Sequence, residues 1–261
     1  MDVTETADRH LGAVTLHRTL PGAGALLTGT LFWLALCLGA ASGAGATDAA
    51  AGATIHAFEF TGERSLTAYE WLAYRAFRLE KHAEDRDRIE LYHADDALHL
   101  KVKKPAFGLI VHEQDIPGAR YVRLEWGVSD YPDGASYEHG VDNEAIMVYV
   151  FFGHERLPSG EIFVPDSPYF IGFYLCQPGS DRTEQPYVGH HYKKTGRYIC
   201  VDHPPEGKAA VTLLDLEEEF VRSFGLETVP AVSGISIEVD TTDSKNDGRA
   251  ASFLQRIEFL E

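Results

Sequence analysis

The chain is poor in sulfur and in base. Its 261 residues include 3 Cys and 2 Met, and 23 Lys and Arg stand against 40 Asp and Glu, a formal net charge of −17. Such a surface disfavours nucleic acid and anionic membranes as partners, but not neutral sugars, cations or basic peptides. Catalytic signatures are scarce as well. The sequence has no HExxH or CxxC motif, no Gly-rich phosphate loop and no GxSxG nucleophile elbow. Histidines such as His112, His139, His154, His190, His191 and His203 show no metal-ligand spacing. On a strand, the adjacent His190 and His191 would point to opposite faces.

What is present begins with one apolar run. Leu26–Ala41 would span roughly 24 Å as a helix, short of the roughly 30 Å hydrocarbon core. The small-residue tail Ala44-Gly45-Ala46 follows it. Length and tail predict a signal peptide over residues 1–46, with an uncleaved anchor as the alternative, since Asp2, Glu5 and Asp8 outnumber Arg9 and Arg18. Residues 47–53 read as a disordered lead-in and 54–261 as a single domain, exported to the periplasm or beyond. Cys37 falls within the leader, which leaves Cys176 and Cys200. In an oxidising compartment that pair is a disulfide candidate, and two buried thiols are the alternative.

From residue 54 the dominant period is two. Leu98, Leu100 and Val102 alternate with His99, Lys101 and Lys103, and Val122, Leu124 and Trp126 alternate with Tyr121, Arg123 and Glu125. Ala145–Phe152 is continuously apolar, which predicts a strand covered on both faces. Phe170–Cys176, Arg197–Asp202, Gly234–Asp240 and Phe253–Leu260 add strands, and Pro and Gly punctuate the gaps. Asp215 with Glu218 predicts a helix start, Leu216, Phe220, Val221 and Phe224 its apolar face, and Gly225 its stop. Thr67 and Glu70 suggest a second helix over Thr67–His82. Many strands with one or two short helices predict a two-sheet antiparallel β-sandwich of jelly-roll type.

Two acidic loops could carry chemistry. The first holds Asp130, Asp133, Glu138, Asp142, Asn143 and Glu144, and the second Asp240, Asp243, Asn246, Asp247 and Gly248. Hard cations such as calcium want several oxygen ligands from such residues, so Asp240, Asp243 and Asp247 are candidate calcium ligands. The second loop is no EF-hand, because Lys245 and Leu254 occupy positions that need oxygen ligands. Aromatics crowd between Tyr121 and Tyr198. Flat rings with polar edges suit stacking on sugars, which nominates Trp126, Tyr187 and Tyr192, with Asp142 and Glu144, as ligand-binding residues. A plain sheet core and solvated loops are the competing explanations.

Several segments carry a resemblance. They are Leu124-Glu-Trp126-Gly-Val with its acidic loop, Asp142 followed by Met147-Val-Tyr-Val-Phe-Phe152, the helix Leu216–Gly225, and Val232-Ser-Gly-Ile-Ser-Ile-Glu-Val-Asp240-Thr-Thr-Asp243. Together, over roughly residues 120–261, they resemble the bacterial family called domain of unknown function 3047. The resemblance implies an exported β-sandwich and supplies no activity. Asn143 stands where that family usually has a second acid, and Asp-Thr-Thr replaces its Asp-Thr-Asp. A shorter stretch, Tyr192-Lys-Lys-Thr-Gly-Arg-Tyr198, is similar to the Y-x-K-x-G-x-Y strand of jelly-roll alginate lyases. Their Arg-Thr-Glu-Leu-Arg and Gln-Ile-His elements do not occur in order here; Arg182-Thr183-Glu184 sits in an apparent loop. That similarity would make Tyr198 and His191 proton-transfer residues. The leading expectation is a non-catalytic exported sandwich binding a carbohydrate or envelope component, without nucleic acid and without a cofactor other than calcium. The alternative is a polysaccharide-acting lyase or hydrolase.

Overall fold

The structure is a computed structural model. It describes residues 52–135, 137–159, 164–178, 185–189, 191–245 and 247–261. The chain divides into two units, Met1–Gly43 and Ala44–Glu261, and all described residues belong to the second. The expected signal segment, nearly all of the lead-in, Cys37, His190, Asn246 and Arg182–Glu184 lie outside the described residues. Among the described residues no helix is long and apolar enough to cross a membrane.

Among the described residues thirteen strands and two α-helices follow in order: β1 (Thr54–Glu59), α1 (Ala68–Tyr74), β2 (Arg78–Lys81), β3 (Ile89–Ala94), β4 (Ala97–Val102), β5 (Phe107–Ile116), β6 (Tyr121–Asp130), β7 (Glu144–Leu157), β8 (Ser167–Leu175), β9 (Tyr187–Val188), β10 (Gly196–Asp202), β11 (Lys208–Asp215), α2 (Leu216–Phe224), β12 (Val232–Asp240) and β13 (Ala250–Leu260). They build two sheets. One runs β11-β6-β13-β4-β3, with β1 also on β13; the other runs β2-β5-β12-β7-β8-β10-β9. The expected β-sandwich is therefore observed, with one departure from all-antiparallel pairing: β10 runs parallel to β8.

The alternation read from the sequence explains how the sheets pack. Val122, Leu124, Trp126 and Val128 of β6, with Leu254, Ile257 and Phe259 of β13, face the opposite sheet. Ile146, Val148, Val150 and Phe152 of β7 and Ile235, Ile237 and Val239 of β12 meet them. Burying each such side chain stabilises by roughly 1.5–3 kcal/mol before entropy is counted. The apolar run Ala145–Phe152 is covered on both faces, as expected. β7 lies inside its sheet, and Met147 and Tyr149 are buried in a second, smaller cluster on the outer face.

Both helix starts follow their caps. Asp215 accepts from the backbone N–H groups of Glu217 and Glu218 at 3.0 and 3.1 Å, and Gly225 ends α2 at φ 67°. Phe220 packs on Phe152, ring centres 4.9 Å apart, whereas Val221 turns towards solvent. Thr67 and Glu70 form a complete capping box at α1. That helix is shorter than expected. It ends at Tyr74, Ala76 takes a positive φ, and Arg78–Lys81 pairs with β5 as an edge strand.

A parallel pair needs a crossover connection. Here the chain between β8 and β10 supplies it, and that segment carries Tyr187 and Tyr192. The pair is tied at one end by the Cys176–Cys200 disulfide, with a Cα–Cα distance of 5.7 Å and a sequence separation of 24. The disulfide alternative for these cysteines is thus the observed one. Closing a loop of that length stabilises by about 3.5 kcal/mol in the chain-entropy treatment. Urea unfolding of the C176S/C200S variant is expected to show a stability loss of roughly 3–4 kcal/mol. A loss under about 1 kcal/mol would mean that the bridge constrains little of the unfolded chain.

Candidate functional site

The outer face of the seven-stranded sheet carries a polar cluster that a single irregularity creates. Between the partner pairs Glu238↔Met147 and Asp240↔Glu144, β12 advances two residues while β7 advances three. This is a β-bulge. It sends both Ala145 and Ile146 into the intersheet core and leaves Glu144 on the outer face with Met147 and Tyr149. Without the extra residue, alternation would point Glu144 into the apolar core.

Glu144 there meets Glu238, within hydrogen-bonding reach, and both are buried. Tyr137 Oη donates to Glu144 Oε2 at 2.7 Å, and Tyr149 Oη donates to Glu238 Oε1 at 2.8 Å. Tyr198 stacks on Tyr137 with ring centres 4.7 Å apart and approaches Tyr149 at 6.2 Å. Register explains that approach. Tyr149 and Tyr198 both lie opposite Gly172. A Cβ at Gly172 would come within 2.8 Å of the Tyr149 ring and 3.0 Å of the Tyr198 ring, so the missing side chain lets the two tyrosines lean together.

Electrostatics at the cluster is one-sided. Burial, then the charge of Glu238, raises Glu144 well above the usual carboxylate range. Burial pushes Glu238 up to about 8, although hydrogen bonds from Glu144 and Tyr149 work against it. Burial with the charges of Asp142 and Asp243 raises Asp240 to about 6. Two carboxylates in such contact cannot both ionise cheaply, and the hydrogen bond between them exists only while one holds a proton. Tyr137, Tyr149 and Tyr198 are all raised, first by burial and then by these acids.

The two acidic loops lie against each other. Asp243 Oδ2 accepts from the backbone N–H of Asp142 at 3.0 Å, and Asp133 Oδ2 accepts from Ser244 Oγ at 3.2 Å and from the Lys245 N–H at 3.0 Å. This contact brings Asp142, Glu144, Asp240 and Asp243 into one neighbourhood. Asp247 is not part of it: it pairs with Arg249 at 2.7 Å. Asp240 Oδ1 accepts from the N–H and hydroxyl of Thr242 at 2.8 and 2.6 Å. The expected Asp240–Asp243–Asp247 calcium set does not come together as a close ligand group among the described residues. Among the described residues the one close group of three His, Cys, Asp or Glu ligand atoms is Cys176, Cys200 and His203, within 4.8 Å, and the disulfide occupies its sulfurs.

The other expected residues divide. Trp126 is corrected as a ligand platform: it is 0% exposed between the sheets, and its Nε1 donates to Thr212 Oγ1 at 3.1 Å. Tyr187 lies 5.7 Å from Tyr137 and Tyr192 lies 5.3 Å from Phe170, ring centre to ring centre, both half-buried at the rim of the cluster. Tyr198 sits inside it, and His191 is exposed on a bend rather than on a strand. The side chain of Glu138 lies outside what is described. Sequence reasoning missed Glu238, Tyr137 and Tyr149. A signal for Glu238 existed: Ser236, Glu238 and Asp240 alternate with Ile235, Ile237 and Val239, so one face of that strand is polar.

A larger cleft of about 600 Å³ lies elsewhere, between the start of α1 and β3. Its lining mixes Glu63, Glu90, Asp95 and Asp96 with Arg64, Arg86 and Lys103, with Lys103 3.1 Å from Glu90 and Arg86 4.1 Å above the Tyr69 ring. The outer-face cluster, which gathers acids alone, is the stronger candidate.

No protein-family model and no curated protein matches the chain. Solved structures do. The carbohydrate recognition domain of Emp46p in its potassium-bound form is similar at 9% identity and a TM-score of 0.37, covering 74% of this chain and 91% of that one. TmCBM61 in complex with beta-1,4-galactotriose is similar at 7% identity and a TM-score of 0.28, covering 71% and 88%. Winged bean acidic lectin complexed with methyl-alpha-D-galactose is similar at 9% identity and a TM-score of 0.36, covering 79% and 99%. At these scores none of them bears on what this chain binds.

The raised acids set a pH dependence. The folded-state values of Glu238 and Asp240 lie above their ordinary ones, so their stabilising contribution is complete below about pH 4 and is lost as pH rises through about 6 and about 8. Charged and titratable groups facing the pair are Asp142, Asp240, Tyr137, Tyr149 and Tyr198, all acidic. In chelator-treated buffer the melting temperature is expected to fall between pH 5 and pH 8, and E238Q is expected to flatten that fall. Equal slopes for wild type and E238Q would show that the pair holds no shared proton.

Proposed function

We propose that this is an exported, non-catalytic β-sandwich domain that binds a neutral or amino-bearing carbohydrate, or an envelope component displaying one. The binding region would be the rim of the tyrosine-roofed outer face. The observation that carries the reading is the placement of half-buried Tyr187 and Tyr192 at the edge of a buried cluster of tyrosines and carboxyls. Aromatic faces cover the C–H faces of a sugar, and carboxylates such as Asp142 accept from its hydroxyls. The disulfide is compatible with export. The adjacency of Asp142, Glu144, Asp240 and Asp243 gives the segments that resemble domain of unknown function 3047 a common location, which supports proposing membership in that family.

One observation favours a second reading, a polysaccharide-acting enzyme: the Glu144–Glu238 pair keeps a carboxylic acid protonated at neutral pH, as a general acid requires. The geometry weighs against it. Glycoside hydrolysis uses two carboxyls about 5–9.5 Å apart, and these two are in hydrogen-bond contact. A lyase with Tyr198 as its base would need a deprotonated phenol near a uronate. Burial and the charges of Glu238, Asp142 and Glu144 keep that phenol protonated and would repel the uronate.

A thermal-shift panel of neutral, amino and uronic glycans on the full chain tests both readings. A neutral or amino glycan is expected to raise the melting point by mass action. Y187A and Y192A are each expected to weaken that binding roughly threefold to tenfold, the 0.5–1.5 kcal/mol scale of one aromatic contact. A response confined to uronic glycans, with unsaturated product appearing, would replace binding by lyase activity. No response to any glycan would overturn the carbohydrate reading.

A further inference from the structure

Asn143 and Glu144 carry the least explained polar atoms of the outer face. Asn143 is 3% exposed and Glu144 is 2% exposed. Asn143 Oδ1 and Nδ2 and Glu144 Oε1 are buried without a hydrogen-bond partner. All three belong to side chains that line one cavity of about 20 Å³, together with Gln177, Tyr174 and Tyr187. Unsatisfied buried polar groups are costly, so two such side chains lining one small space point to an occupant that their oxygens can bind. The volume admits about one water-sized body.

We propose that this cavity is a binding site for a single hard cation of the calcium class, held by Asn143 Oδ1 and Glu144 Oε1 and completed by further oxygens of its walls. Charge separates this occupant from a water. Glu144, Glu238, Asp240, Asp142 and Asp243 gather here, and the groups acting most strongly on the acid pair are acids and phenols. A water leaves the carboxyls sharing a proton, whereas a cation takes that proton's place and is bound by the Asn143 and Glu144 oxygens. The donor set is all oxygen, amide and carboxylate, which suits calcium rather than a thiolate- or imidazole-seeking metal. Size argues further. Magnesium keeps several of its waters, and this space has no room for them, whereas calcium sheds its shell readily.

The site differs from the Asp240–Asp243–Asp247 set that the sequence suggested. Its key oxygens come from the first residues of β7, and the bulge that turns Glu144 outward is what makes it. It also stands independently of the carbohydrate reading, and glycan binding measured with and without chelator separates the two.

The test uses the full chain, stripped with EDTA. Calcium is titrated in thermal-shift measurements, and terbium in tyrosine-sensitised luminescence, since Tyr174 and Tyr187 line the cavity. A saturable rise in melting temperature with calcium, little with magnesium, and terbium emission that calcium displaces are expected. E144Q is expected to weaken calcium by at least tenfold. N143D, which adds a second carboxylate, is expected to tighten it by roughly tenfold, since ligand charge sets calcium affinity. N143D also guards against an E144Q chain that fails to fold. Absence of a calcium response in both wild type and N143D overturns the proposal and leaves one buried water and a shared proton. A calcium response that folded E144Q retains in full places the cation elsewhere and overturns it equally.

Discussion

Two carboxyl groups pressed together away from water cannot both carry charge, and the outer face of the seven-stranded sheet is arranged around that constraint at Glu144 and Glu238. Each has a tyrosine donating to it, Tyr137 from the loop above and Tyr149 from the adjacent position on β7. These bonds fix the loop's position, because Tyr137 is its ring over Tyr198 as well as its donor to Glu144. The cover over Tyr149, Phe170 and Tyr174 thus depends on the acid pair keeping one protonation state or one neutralising partner. Apolar side chains in place of the pair would pack at no desolvation cost, so its presence is a stability liability of the kind that accompanies function more often than folding.

The main core is indifferent to all this. It lies on the other side of the sheet and is built from Val, Ile, Leu and Phe with few polar intruders. A second buried acid, Glu258 on the six-stranded sheet, shows the contrast. It is paired with Arg123 at 2.9 Å and Arg256 at 2.9 Å and accepts from Thr54. These partners hold it below the usual carboxylate range despite its burial. One sheet solves a buried glutamate with arginines, as structural sites do, and the other leaves two glutamates facing acids and phenols. That difference, within one domain, marks the outer face of the larger sheet as the place where chemistry is kept at the expense of stability.

Much of the fold was legible in the sequence because it rests on local rules. Period-two alternation at Leu98–Val102 and Val122–Trp126 names strands and their buried faces. The unbroken run Ala145–Phe152 names a strand with both faces covered, and Asp215 and Gly225 bracket a helix. The site was less legible because its elements are non-local. Nothing near Glu144 announces a bulge, and without the bulge its side chain belongs in the core. Trp126 was misread for the same reason. Alternation places it on the face with Leu124 and Val128, and only the packing of the opposite sheet decides that this face is dry. The parallel pairing of β8 and β10 is likewise invisible in either strand, yet it determines where Tyr187 and Tyr192 travel.

Selectivity follows from the sign of the field. An anionic sugar seated at the cluster would face Asp142, Asp243 and the acid pair, all of them acids. Desolvating its carboxylate there would go uncompensated. A neutral pyranose avoids that cost, since its hydroxyls donate to carboxylates and its C–H face needs only a ring such as Tyr187 or Tyr192. The same field that repels anions concentrates cations. Amide and carboxylate oxygens beneath phenol rings would suit a hard cation below and a hydroxyl-rich ligand above, each held by its own contacts.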